Sequence, residues 1–161
     1  MISLKKRQSG FTIVELLIVI VVIGILAAIV ITTYSGIQAK ARNAKRETDI
    51  QSLQTQVEAF YSQNGYYPNA YDLNSWAFIA ANMKSLATSA EQDPSSTCTL
   101  PSATNATGNC ISSAAPAAKS YSYQVTPSTC EGAGNDVNCT GYTLTATLES
   151  GAGTYVKTNL D

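Results

Sequence analysis

The chain has 161 residues, 45% of them hydrophobic, and a formal net charge of −1, which leaves room for one domain and an appendage. It contains no histidine, and that removes Ser-His-Asp triads, Cys-His dyads, the HExxH zinc helix and imidazole acid–base chemistry. Beyond the first ten residues seven basic side chains face eleven acidic ones, a balance opposed to a nucleic-acid binder, which needs a net basic surface.

Lys5, Lys6 and Arg7 precede a long apolar run over residues 11–31, broken only by Thr12, Glu15 and Gly24. About 20 such residues cross a hydrocarbon core of roughly 30 Å as a helix. An ionised Glu near the middle of a span costs on the order of 3 kcal/mol, so Glu15 needs a reason. Three readings compete for this front end. A secretory signal would use the small residues of "ILAAI" for cleavage after Ala27 or Ala28, although the run exceeds the usual h-region. A signal anchor would keep the helix, hold the basic cluster inside and let Glu15 snorkel to the interface.

The third reading accounts for more residues. "KKRQSG/FTIVELLIVIVVIGILAAI" resembles the class III leader of type IV pilins and the related pseudopilins. The resemblance implies cleavage after Gly10 by a membrane-embedded prepilin peptidase and N-methylation of the new terminal residue, Phe11. The family's acid falls on Glu15 and its helix glycine on Gly24. In that family the acid of an incoming subunit pairs with the terminal amine of one already assembled. Such a pair is poor glue and a good register device, because a lone buried charge is penalised by several kcal/mol. The helix dipole at the N-terminal end also favours an anion.

No proline occurs before Pro68, and residues 38–65 are rich in helix formers, so one helix is expected over 11–63. Many relatives carry a proline at the position of Thr32; here β-branched residues and Gly36 leave open whether the helix bends. Ile50, Leu53, Val57, Phe60 and Tyr61 share one helical side, the face expected to dock on a globular domain. Lys40, Arg42, Lys45 and Arg46, followed by Glu47 and Asp49, read as a solvated face with an Arg46–Asp49 pair. The sharper alternative gives the cluster an acidic surface on a neighbouring subunit. Gly65 and Pro68 supply the stop.

Trp76, Ile79, Met83 and Leu86 predict a short amphipathic helix capped by Asn74 or Ser75. Residues 91–120 are Ser/Thr/Ala/Pro-rich and read as surface loop. Alternation then predicts a strand with Tyr121, Tyr123 and Val125 inward, and a second with Tyr142, Leu144, Ala146 and Leu148 inward, Thr143, Thr145 and Thr147 pointing away. A glycine turn in "LESGAGTYVKTNL" leads to a third. Cys98, Cys110, Cys130 and Cys139 lie beyond the span without CxxC spacing, so they read as two disulfides and not as zinc ligands. Of the three pairings, the local loops Cys98–Cys110 and Cys130–Cys139 are favoured. The second would pinch Glu131, Asn135 and Asp136, oxygen donors without EF-hand order, read as a polar turn. "QDPSS" only partly echoes the calcium motif of the main secretion pseudopilins.

The expected fold class is α+β: a long N-terminal helix packed on a small antiparallel sheet, the pilin-like arrangement. The expected division is a leader over 1–10, a helical spine over 11–63 with 11–31 in the membrane or filament core, and an extracytoplasmic head over 64–161. No catalytic residue, metal or cofactor is expected, and no enzyme. The resemblance implies a structural subunit stored in the cytoplasmic membrane and assembled into an extracellular filament. Its implied partners are prepilin peptidase, other copies and related pilins, the membrane platform and an assembly ATPase, with no nucleic acid as main ligand. The alternatives are a pseudopilin of a type II secretion or DNA-uptake system, and a signal-anchored extracytoplasmic binding domain.

Overall fold

A computed structural model of the chain describes residues 10–132, 134 and 137–160; the basic leader cluster, Asn135 and Asp136 lie outside these. Helix α1 runs Ile13–Asn64 without a break, two residues later at its start and one at its end than expected, and it stays helical through Thr32. The chain divides within α1 into a unit up to Gln38 and a second from Ala39 onward. In the first, every large apolar side chain of the run is exposed, from Phe11 to Ile31, with Tyr34 and Ile37 following. α1 ends because Gly65 takes φ +77°, a left-handed position where glycine carries no Cβ penalty. Its N–H bonds the Tyr61 carbonyl at 2.7 Å.

The second unit is built on the later part of α1. Ile50, Leu53 and Val57 are fully buried and Phe60 nearly so, the face expected from the 3–4 spacing, with Tyr61 packed at its margin. They share one core with Tyr67, Leu73, Met83, Tyr121, Tyr123, Tyr142, Leu144 and Ala146. The sheet has strand order β1-β2-β3-β4: Ile111–Ser112, Tyr121–Thr126, Gly141–Thr147 and Thr154–Thr158. β2, β3 and β4 are antiparallel as expected. The two-residue β1 pairs parallel with β2 and makes the sheet mixed. Tyr121 opposite Ala146, Tyr123 opposite Leu144 and Val125 opposite Tyr142 set the inward face. Thr145 does not point into solvent: it is buried beside the equally buried Ser122, whose hydroxyl bonds the Ala114 carbonyl at 2.6 Å. The loop before β2 therefore covers part of the outer face.

Buried tyrosines carry their hydroxyls to the spine. Tyr142 and Tyr67 donate to Glu58 at 2.7 and 3.2 Å, and Tyr121 donates to Asp49 at 2.9 Å. Burial, with those carboxylates beside them, pushes the Tyr121 and Tyr142 phenols up, so they act as neutral donors. The two expected disulfides are present, Cys98–Cys110 and Cys130–Cys139, each worth roughly 2–4 kcal/mol on the chain-entropy account. Helix α3 (Trp76–Asn82) follows Ser75, which makes no side-chain cap bond. A short helix α2 (Ala70–Leu73), absent from the sequence reading, starts at an Asn69/Asp72 capping box.

Residues 91–120 are less superficial than their composition predicts. Glu91 and Asp93 are buried at 0% and 1% exposure. Neither Glu91 oxygen has a hydrogen-bond partner among the described residues, and burial alone pushes its carboxyl from 4.5 up to about 8. Folded and unfolded chains both hold the proton below pH 4.5, so no penalty exists there. As pH rises from about 4.5 to about 8 only the unfolded chain ionises, and stability falls by about 1.4 kcal/mol per pH unit. We expect Glu91→Gln to flatten that slope in urea unfolding curves at pH 5 and pH 8; an equal slope in both proteins would refute the assignment.

Candidate functional site

Two groups of residues carry chemistry. The first lies at the start of α1. Gly10 and Phe11 are exposed and precede the helix, Phe11 at 85%, so the bond between them sits in non-helical backbone. Thr12 and Glu15 form a reciprocal cap. The Thr12 N–H and Oγ1 donate to Glu15 Oε2 at 2.9 and 2.7 Å, and the Glu15 N–H donates to Thr12 Oγ1 at 3.2 Å. This is the Thr-x-x-Glu capping box. The sequence carries it locally as "TIVE", a capping signal separate from the membrane, register and helix-dipole roles read for Glu15 above. Both bonds to Glu15 use Oε2, and Oε1 has no partner among the described residues. A Cβ added at Gly24 meets nothing within 4 Å, so that glycine leaves an open notch on the exposed apolar surface.

The second group joins the spine to the head inside the second unit. Arg46 is 1% exposed and Asp93 0% as side chains. Arg46 grips Asp93 with Nε at 2.6 Å and Nη2 at 3.0 Å, and reaches Glu149 Oε1 at 2.7 Å. Arg42 holds the same Glu149 through Nε at 2.8 Å and Nη2 at 2.5 Å. Asn43 completes the arrangement: its Oδ1 accepts from Arg46 Nη1 at 2.9 Å and from the Glu149 N–H at 2.8 Å. Ser95 donates to Glu149 at 3.0 Å. Hydrogen bonds from Arg42 and then Arg46 hold the Glu149 carboxyl well below the usual range, and the bond to Asp93 raises Arg46 further.

The turn between β3 and β4 puts Glu149 there. Ser150, Gly151 and Gly153 all take positive φ, and the Leu148 N–H closes on the Gly153 carbonyl at 2.8 Å. The expected Arg46–Asp49 pair is not formed. Asp49 takes Lys45 instead, at 2.8 Å with i,i+4 spacing, while the buried guanidinium turns to acids 47 and 103 residues away. Three of the four cations expected to await a neighbouring subunit, Arg42, Lys45 and Arg46, are thus satisfied within the chain.

Glu131, one of three oxygen donors noted in its loop, accepts from the Ala70 N–H at 3.3 Å. Asp93 of the "QDPSS" echo is committed to Arg46. No cluster of three or more metal-type ligands occurs among the described residues. α1 is the one helix among them long and apolar enough to cross a membrane.

The prokaryotic N-terminal methylation motif matches residues 5–31. The type II secretion system core protein G of Aeromonas hydrophila is 41% identical over 64 residues, 40% of this chain and 45% of the relative. That of Vibrio cholerae is 36% identical over 63 residues, covering 39% and 43%. The type IV major pilin protein PilA of Myxococcus xanthus is 39% identical over 63 residues, covering 39% and 29%. The chain spans less than half the length of these relatives. No solved structure matches it. With that motif ahead of a long helix packed on a small sheet, the chain is similar over its N-terminal part to type II secretion core protein G and type IV pilin proteins.

Proposed function

We propose that this chain is a structural subunit of a type IV pilus, made as a single-pass cytoplasmic-membrane precursor, cut after Gly10, methylated at Phe11 and polymerised through residues 11–31. One observation carries the reading. The only charge in a wholly exposed apolar helix surface is a carboxylate one turn from the new terminus, with one oxygen capping its own helix and the other open. An apolar surface of that extent is stable only in lipid or against other helices. A neighbour's Phe11 ammonium is the cation of the right size for the free Oε1.

Prepilin peptidase, the membrane platform, the assembly ATPase and further copies of this chain or related pilins are the partners this requires. A pseudopilin is the second reading, supported by the core protein G relatives, of which that of Aeromonas hydrophila matches at 41% identity, as PilA does at 39%. Mass spectrometry of the mature N-terminus tests the class. Methylated Phe11 is the expected result. An intact Met1 would make the chain a signal-anchored domain, and a terminus at Ala28 or Ile29 would make it an ordinary secreted one. Antibody labelling of surface filaments separates pilus from pseudopilus.

A further inference from the structure

The chain holds two Asn-x-Thr triplets, Asn105-Ala106-Thr107 and Asn138-Cys139-Thr140. This is the acceptor pattern for N-linked glycans on exported proteins. The structure separates the two. Asn105 is half-buried, its Nδ2 donates to the Leu100 carbonyl at 3.3 Å, and its N–H is bonded to Ser102. Asn138 is exposed and its side chain makes no hydrogen bond among the described residues, while the next residue, Cys139, is buried in a disulfide and bridged to Tyr67. An exposed amide thus stands next to a residue fixed by a disulfide.

We propose that Asn138 is the site of an N-linked glycan, transferred from a polyprenyl-pyrophosphate oligosaccharide by a membrane glycosyltransferase on the exported side. In the transfer the Asn138 Nδ2 attacks the anomeric carbon and the N–C1 bond forms. The C1–O bond to pyrophosphate breaks, the lipid pyrophosphate leaves with the electron pair, and the amide gives up one proton. Beside the acceptor lies a cleft of 260 Å³ lined by Tyr66, Tyr67, Asn69, Asp72 and Val137. A half-exposed tyrosine face and a half-buried carboxylate suit the ring and hydroxyls of a first sugar. The Thr140 hydroxyl and N–H are both tied to the Thr126 carbonyl, at 3.2 and 2.7 Å. Thr140 is nevertheless exposed, so its hydroxyl oxygen stays open as an acceptor to the transferase on the folded chain.

The inference rests on export of the head, which the proposed function requires but which a signal-anchored domain would share. The test is peptide mass spectrometry with electron-transfer fragmentation on full-length protein purified from the envelope of its native cells. We expect glycan mass on the Asn138 peptide, lost in Asn138→Gln and Thr140→Ala, retained in Thr140→Ser and in Asn105→Gln. An Asn138 peptide found only at its unmodified mass overturns the proposal, as does glycan found only on serine or threonine. The N-terminal peptide of the same sample reports leader processing, so failure of the glycan site and failure of the pilin reading are distinguished in one experiment.

Discussion

Glu15→Val should accumulate in the membrane at the wild-type level and yield at least tenfold fewer filaments. Removing the carboxylate makes the span more apolar, so membrane storage does not suffer; on insertion scales an acid at helix centre costs on the order of 3 kcal/mol. The loss falls on assembly, where the Phe11 ammonium of a docked subunit would be left unpaired in an apolar core. A buried charge without its partner costs about 3–5 kcal/mol, and 1.4 kcal/mol already equals a factor of ten. Thr12→Ala is the control that separates charge from capping. It deletes the hydroxyl from the box formed with Glu15, worth about 1 kcal/mol, but keeps the carboxylate. Sheared-filament yields by electron microscopy and immunoblot decide it. Thr12→Ala should assemble and Glu15→Val should not; wild-type yield from Glu15→Val removes the register role.

Arg46→Ala should destabilise the head by about 3–5 kcal/mol, because it leaves Asp93 buried at 0% exposure with its guanidinium gone. At several degrees per kcal/mol for a unit of this size, the melting temperature of detergent-solubilised protein, read by circular dichroism, falls by about 10–20 °C. Lys45→Ala breaks an i,i+4 pair whose lysine is 45% exposed, and should cost about 0.5 kcal/mol or less. The double change Arg46→Met with Asp93→Leu should recover most of the loss, since an apolar pair of similar volume replaces two desolvated charges. A melting temperature for Arg46→Ala within about 3 °C of wild type would mean that water reaches Asp93 in solution. The ion pair's contribution has a pH sign of its own. Glu149 is held below its ordinary range by Arg42 and Arg46, so its stabilisation is present above about pH 4.5 and lost as pH falls through the folded value. Glu91 acts in the opposite direction above that pH.

These two variants also divide what was legible from what was not. The apolar span, the docking stripe of Ile50, Leu53, Val57 and Phe60, and the stop at Gly65 were readable because helical periodicity and backbone freedom are properties of neighbours in sequence. The same holds for β2, β3 and β4, whose alternation marks one buried face, and for the two disulfides, whose short loops limit the partners. Even the Thr12–Glu15 box was written locally. Leader cleavage, methylation and the role of Glu15 remain inferences from that pattern.

Other features depended on residues far apart in the chain. Arg46 looked like a solvated cation with Asp49 in reach, and nothing within one helical turn says that it is buried. Its fate is set by Asp93 and Glu149, brought to it by a 3-10 turn and by a hairpin that needs three left-handed residues in four positions. Burial of Glu91, the parallel β1 and the covering of Thr145 likewise follow from how residues 91–120 fold back over the sheet. Composition alone had marked that segment as surface. Sequence by itself determined the elements, since secondary structure answers to side chains within a turn or a strand pair. Tertiary structure alone decided which charges are desolvated and what they pair with, because electrostatic cost depends on the surroundings in space and those come from the whole chain.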